Sequence, residues 1–462
     1  MKKDFKSYLD GKFQSSSLQD WIEKINKDLR SGDYQSLIHH HPDNIDIQPA
    51  YTGENRTQVE QSFRQTRYWG VIEAILVEDV ASANRKALTI LERGTTGLIF
   101  YLNGDEDISQ LLQNIEIQYI RLRLVVQNKP QSIAGQLSDL LSDRQLDPSN
   151  LDIFLNRDPL ENLLRTGNWF SSEEEDFSNL AALSRHEEKG INYRSLNVNL
   201  FANAGATAVQ QLAIALAMTY ETHYRLQDET LGYYWVNFAI GSAYFTEIAK
   251  LRAFRRLWNK LAYELGGISR QPAIYAETGL RNKSIRDVYN NMIRSTTEAM
   301  AAVIGGADEI QVLSFDSTLG EPSPFGERVA RNQQHVLQYE GHLSEVHDIA
   351  SGAYFIENLT EEVATRAWEL FVQIEEQGGF LATVRSGWLQ KMVEQSAAEE
   401  QKAYAENHKL LVGVNKFTRE DPDLSEMISR PMFSNGKQQE TEVKILKIKR
   451  LAEAFEQDLQ NA

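Results

Sequence analysis

The 462 residues contain no cysteine, which excludes a disulfide, a thiolate zinc site, an iron–sulfur cluster and a thiol nucleophile. Any chemistry carried by the chain has to use His, carboxylates, Tyr, Lys or a cofactor. Positive charge is also short, with 48 Lys and Arg against 65 Asp and Glu and a formal net charge of -17. Nucleic-acid binding draws its affinity from clustered cations that release counterions, so this balance speaks against a nucleic-acid partner. No apolar run reaches membrane-spanning length, and the opening MKKDFKSYLDGKFQ lacks the apolar centre of a secretory signal. The expectation is a cytoplasmic protein with no membrane partner.

What is present is a repeated unit of amphipathic helix, glycine stop and short β-rich run. In DVASANRKALTILERGTTGLIFYL, Asp79 can cap a helix that stops at Gly94 before a strand from Gly97 to Leu102. In a second copy Leu251, Phe254, Trp258, Leu261 and Leu265 share one helix face, Gly266-Gly267 follows, and the chain enters QPAIYAET. A third helix stops at Gly305-Gly306 before a strand at about Glu309. Eight β-rich runs can be counted: YWGVIEAIL, GLIFYL, IEIQYIRLRLVV, NLDIFLN, RSLNVNLF, YYWVNFAIG, PAIYAET and EIQVLSF. Strands that alternate with helices imply a parallel sheet, and eight of them predict a closed (β/α)8 barrel of the TIM type. No G-x-G-x-x-G follows the first strand, which weakens a dinucleotide-binding alternative.

Three regions are expected. Residues 1–66 form an N-terminal arm with the amphipathic helix SLQDWIEKINKDL and then an extended run, HHHPDNIDIQPAYTGEN, suited to crossing a partner's surface. Residues 67–345 form the barrel, and residues 346–462 a helical C-terminal extension that ends in a charged tail, read as a solvated helix. Between the fourth and fifth strands, TGNWFSSEEEDFSNLAALSRHEEKG reads as a solvated acidic helix or loop.

Six blocks in order, NAGATAVQQLAIALA, AYFTEIAKLRAFRRLWNKL, DVYNNMIRSTTEAMAAVIGGADEIQVLSFD, RVARNQQHVLQYE, SGAYFIENLTEEVATRAWELFVQIEEQGGF and LVGVNKF, resemble the acyl-CoA-binding barrel of methylmalonyl-CoA mutase. The resemblance runs from IQPAYTGEN to GVNKF. It implies adenosylcobalamin-dependent radical isomerisation of methylmalonyl-CoA and succinyl-CoA, with CoA threaded through the barrel and cobalamin held by a separate C-terminal domain. That domain is marked in the family by D-x-H-x-x-G, which does not occur in these residues. The expectation is therefore a chain that binds no cofactor itself.

Two further departures concern the barrel. Catalytic chains of the family carry a Tyr-His pair before the A-G-A turn that follows the fifth strand, where this sequence has Asn199 and Leu200. Leucine neither donates a hydrogen bond nor shares a proton, and loss of a positioned acid typically costs ~10²–10⁴ in rate. At the end of the seventh strand, IYAETGLRNKS replaces a segment with His and Gln, so that Tyr275 and Glu277 stand in their places. A carboxylate there would repel a polyphosphate, carboxylate-bearing thioester. Phe100, Tyr119, Phe154, Trp235 and Phe315 are bulky where a threaded barrel favours Ser and Thr, and several are expected to fill the interior.

The resemblance with these departures implies the small, non-catalytic subunit of a heterodimeric mutase. Its partner would be the catalytic large subunit, which carries the adenosylcobalamin. Alternatives are a substrate-binding barrel that works with a separate cobalamin-binding chain, and an independent barrel enzyme. No catalytic, cofactor-binding or metal-ligating residue is assigned. His39, His40 and His41 alternate in direction along an extended run and converge poorly on a metal. Glu247, Arg252 and Arg255 read as partners in pairs along one helix, and His347 and Asp348 as structural. Glu277 would suit a general acid or base of unrelated chemistry, but no second titratable group is evident beside it.

Overall fold

The computed structural model describes residues 16–29, 33–55, 64, 66–185, 187, 190–228, 231–267, 270–418 and 440–456. The arm opens with helix α1 (Leu18–Asp28), whose N-cap Ser17 and Asp20 form a capping box. An antiparallel hairpin of β1 (His39–His41) and β2 (Ile45–Ile47) follows, folding back a run expected to be extended. Ile45 is buried in the same apolar core as the barrel helices, so this part of the arm lies on its own chain.

The barrel strands are β3 (Gly70–Leu76), β4 (Gly97–Leu102), β5 (Arg121–Val126), β6 (Asp152–Asn156), β7 (Ile191–Asn192), β8 (Arg194–Asn197), β9 (Tyr234–Ile240), β10 (Ala273–Thr278) and β11 (Glu309–Gln311). They are all parallel, in the order β7-β6-β5-β4-β3-β11-β10-β9-β8. The two ends of that order are joined through Tyr193 alone, so β7 and β8 are one strand broken at a single residue. The sheet thereby closes into an eight-stranded α/β barrel, and all eight β-rich runs contribute a strand.

The intervening helices are α2 (Val80–Leu91), α3 (Ile108–Leu111), α4 (Pro130–Asp143), α5 (Pro159–Thr166), α6 (Glu173–Ser184), α7 (Asn199–Ala204), α8 (Ala208–Leu226), α9 (Tyr244–Glu264), α10 (Asn290–Gly305) and α11 (Pro324–His335). Asp79 caps α2 through Ser82 N as the sequence implies. The acidic excursion is α6, and it is not merely solvated: Glu174 and Glu175 of its first turn face out, while Asp176 is buried and accepts from Phe170 N, and Phe177, Leu180 and Leu183 pack inward. The extension adds α12 (Tyr354–Glu376), α13 (Phe380–Arg385) and α14 (Trp388–Ala405). Helix α12 packs across α8 and α9 and shares their core through Leu359, Val363, Ala367 and Phe371.

The charged tail departs from its helical reading. Residues 440–456 run as an extended strap over the loops at the C-terminal rim of the barrel, ending in a short 3-10 turn, Leu451–Phe455. Glu442 N and Val443 N donate to Gly167 O, Leu446 N to Leu164 O, Lys449 N to Asn203 O and Leu451 N to Arg281 O. Val443, Leu446, Leu451 and Ala452 are buried beneath it. Gly167 closes α5 at φ 84°, and a Cβ there would lie 2.5 Å from Thr441, so the strap's approach requires glycine.

Candidate functional site

In a barrel of this kind chemistry collects at the C-terminal ends of the strands, and inward side chains alternate along each strand. The lower interior is filled. Ile72, Ile99, Phe154, Trp235, Ala273 and Tyr275 form one buried cluster, with the Trp235 and Tyr275 rings 5.0 Å apart. Beside them Arg123 and Glu309, respectively 0% and 1% exposed at the side chain, form an ion pair. Arg123 Nε is 3.2 Å from Glu309 Oε2, the Trp235 indole donates to the same oxygen at 3.1 Å, and Arg123 lies 4.9 Å from the Phe154 ring centroid. Of the five bulky residues singled out in the sequence, Phe154 and Trp235 thus plug the interior. Phe100 points the other way, into the sheet–helix core, and Phe315 packs against Tyr289 and Phe325 outside the strands. Tyr119 sits in a 3-10 turn before β5 and is 80% exposed.

Above this plug the interior becomes polar. Glu277 on β10 accepts a hydrogen bond from Asn199 Nδ2 at 3.1 Å. The Tyr275 hydroxyl lies 3.2 Å from Glu277 Oε2 and 2.7 Å from Gln311 Oε1. Burial pushes the Glu277 carboxyl above its ordinary range, opposed by the bonds from Asn199 and Tyr275. It pushes the Tyr275 and Tyr101 hydroxyls up as well, with the Glu277 charge adding to both shifts. The structure thereby corrects the expectation that Glu277 lacks a titratable neighbour. Tyr275, two residues earlier on the same strand, shares its face, and only Tyr101, from a strand elsewhere around the barrel, was hidden from the sequence.

Asn199 and Leu200 do not end a strand; they open α7, and the strand stops at Asn197. Asn199 turns to the interior. Leu200, 3% exposed, packs into the main apolar core with Phe201, where no proton could be exchanged with a bound molecule. The A-G-A turn is held by Gly205 at φ 108°, where a Cβ would meet Ala397 of α14 at 2.5 Å.

The remaining candidates resolve into structural pairs. Arg252 binds Asp348 at 2.6 Å and Glu357 at 3.1 Å, and Arg255 binds Asp308 at 2.7 Å, so both arginines tie α9 to other elements instead of pairing along it. Glu247 alone pairs within the helix, with Lys250 at 2.5 Å. Asp348 is therefore a tether, and its neighbour His347 is exposed. His40 pairs with Asp46 at 2.6 Å on the surface, while His41 turns inward to Thr246 at 3.2 Å. Among the described residues no group of three or more His, Asp or Glu side chains could hold a metal ion, and no helix is long and apolar enough to cross a membrane.

Beside the barrel axis lies a cavity of about 840 Å³, between the N-termini of α8 and α9, the extension helices α12 and α14, and the hairpin. Much of its charged lining is paired: Arg281 with Glu400, Arg366 with Glu369, and Glu247 with Lys250. Asp43 of the hairpin is buried against the N-terminus of α8, which Thr207 caps by accepting from Gln210 N.

The fold and its plugged interior define an α/β barrel whose upper layer is polar and whose rim is strapped. The chain belongs to the methylmalonyl-CoA mutase family, whose model matches residues 94–462. It is 31% identical to a methylmalonyl-CoA mutase small subunit from Porphyromonas gingivalis, over 89% of this chain and 71% of that protein. It is 32% identical to a small subunit from Streptomyces virginiae, over 76% of this chain and 58% of that protein. A methylmalonyl-CoA mutase from Rhizobium meliloti is 26% identical, and this chain spans 64% of it. The family depends on cobalamin. In this chain the strap lies over the β6, β8 and β10 loops of the rim, with Leu446 3% exposed beneath it.

Proposed function

We propose that this chain is the small, non-catalytic subunit of a heterodimeric methylmalonyl-CoA mutase. The complex interconverts methylmalonyl-CoA and succinyl-CoA, and the adenosylcobalamin resides in the catalytic large subunit. The role of this chain is to stabilise that partner. The observation that carries the reading is the interior. A thioester threaded along the axis would have to displace Phe154, Trp235 and Tyr275 and separate the buried Arg123–Glu309 pair. Breaking such a pair costs ~3–5 kcal/mol before any ligand contact is made. An acyl group arriving at the upper layer would then meet the Glu277 carboxylate, a like charge for its own carboxylate, in place of an acid.

The N-terminal arm supports the same reading. Helix α1 carries Leu18, Trp21, Ile22 and Ile25 along one stripe, continued by its C-cap Leu29, and buries none of its residues, a surface suited to a partner.

Co-expression with a catalytic large subunit tests the proposal. The expected result is a one-to-one complex whose isomerase turnover disappears when the large subunit's own Tyr-His pair is replaced. Turnover that survives that replacement would place a working site in this chain. Failure to form any complex would equally defeat the reading.

A further inference from the structure

The upper layer of the barrel is not closed off. Tyr101, Val125, Asn197, Asn199, Glu277 and Gln311 all keep part of their surface water-accessible, although Tyr101 and Val125 pack on the interior cluster and Glu277 and Gln311 are bonded neighbours inside the ring. A small space therefore remains above the aromatic plug, and its chemistry is one-sided. Glu277 makes no ion pair among the described residues, and its only partners are an amide and a phenol. Asn237, 7% exposed, donates through Nδ2 to Asn197 Oδ1 at 3.2 Å and leaves its own Oδ1 without a partner. Asn237 is the register neighbour of both Asn197 and Tyr275, which puts that unused acceptor on the wall of the same space. A buried acceptor left unmade is unfavourable, and a largely desolvated carboxylate without a cation is more so.

We propose that this upper barrel binds a small ammonium-type cation, either ammonium itself or a short primary amine, held by Glu277 with Asn237 and Gln311 as neutral acceptors. An N–H-rich cation supplies the donors that the layer lacks and the charge that Glu277 lacks. A hard metal ion prefers six or more oxygens, and among the described residues no group of three His, Asp or Glu stands ready for one. In the cavity beside the barrel, Glu247, Glu400 and Glu369 already have the cations Lys250, Arg281 and Arg366. This inference stands whether or not the chain has a partner.

The test is titration of the full chain with ammonium chloride and with methylammonium chloride, followed by calorimetry and by the fluorescence of the interior tryptophan, with sodium chloride and sodium acetate as controls. Saturable binding of either ammonium species is expected, and which of the two binds identifies the source. The Glu277→Gln variant keeps the shape and removes the charge, and it is expected to weaken binding about tenfold or more. Where that variant does not fold, Asn237→Leu carries the test, with a smaller loss expected. The proposal is overturned if neither ammonium species binds, if acetate or sodium binds in their place, or if both folded variants bind as the parent does.

Discussion

Arg123 and Glu309 come from strands on opposite arcs of the barrel and meet at its centre, each essentially without solvent. Two ions of opposite charge removed from water together are tolerable; one alone is not. Glu309 has in addition the Trp235 indole and, at 3.8 Å, the Arg121 guanidinium, but neither replaces the buried Arg123 contact. Arg123→Met is therefore expected to destabilise the chain by ~3–5 kcal/mol in urea unfolding, whereas Arg123→Met with Glu309→Met recovers most of that loss. A single variant that costs less than about 1 kcal/mol would show that water reaches the pair. That the interior contains an ion pair at all was not legible from sequence. Alternation along a strand says which residues face in, but it cannot say that β5 lies across the barrel from β11.

The hairpin of β1 and β2 shows how an element can be held by two groups whose titrations oppose each other. Burial raises the Asp43 carboxyl from 3.8 to about 6 and lowers the His41 imidazole from 6.5 to about 4. The nearby Glu247 raises Asp43 further, and Lys409 acts on both, lowering each. As pH rises from about 4 to about 6, the docked hairpin binds more protons than the free one at Asp43, so this group's contribution is lost. Over the same window the docked form binds fewer protons at His41, so that contribution is gained. The two slopes offset, and protection of the hairpin amides from hydrogen exchange is expected to be nearly flat from pH 4 to 6. His41→Asn should leave a hairpin that loosens as pH rises through this window, and Asp43→Asn one that tightens. A steep dependence in the parent chain would contradict the pairing. At this scale the sequence was informative wherever the determinants are local: the Asp79 cap, the glycine stops and the alternating strands all stand where expected. It misled where distant carbonyls decide the outcome. The tail reads as helix by composition, yet the carbonyls of Gly167, Asn203 and Arg281 draw its amides into an extended strap. Likewise Arg252 and Arg255 find their acids on segments about 50 to 100 residues away, which spacing along one helix cannot show.

On the scale of the whole molecule, the barrel, extension and strap share a buried interior, and α1 is the element left over. An isolated helix of 11 residues is marginal in water, and tertiary packing normally supplies its stability. Here Trp21, 38% exposed, touches its own chain chiefly through the edge of Tyr34, with ring centroids 6.0 Å apart. The stripe from Leu18 to Leu29 therefore gains little from the fold on which it sits, and much from a second surface. Large aromatic anchors at interface centres typically carry ~2 kcal/mol or more, which is a factor of about thirty in affinity. Trp21→Glu is accordingly expected to weaken association with the large subunit by at least tenfold while the melting temperature of the isolated chain stays within about a degree, because a surface change away from caps and core moves stability little. Unchanged association would mean that the partner docks elsewhere. A large fall in the melting temperature would mean that α1 braces its own barrel. Only loss of association with retained stability assigns the helix to the partner.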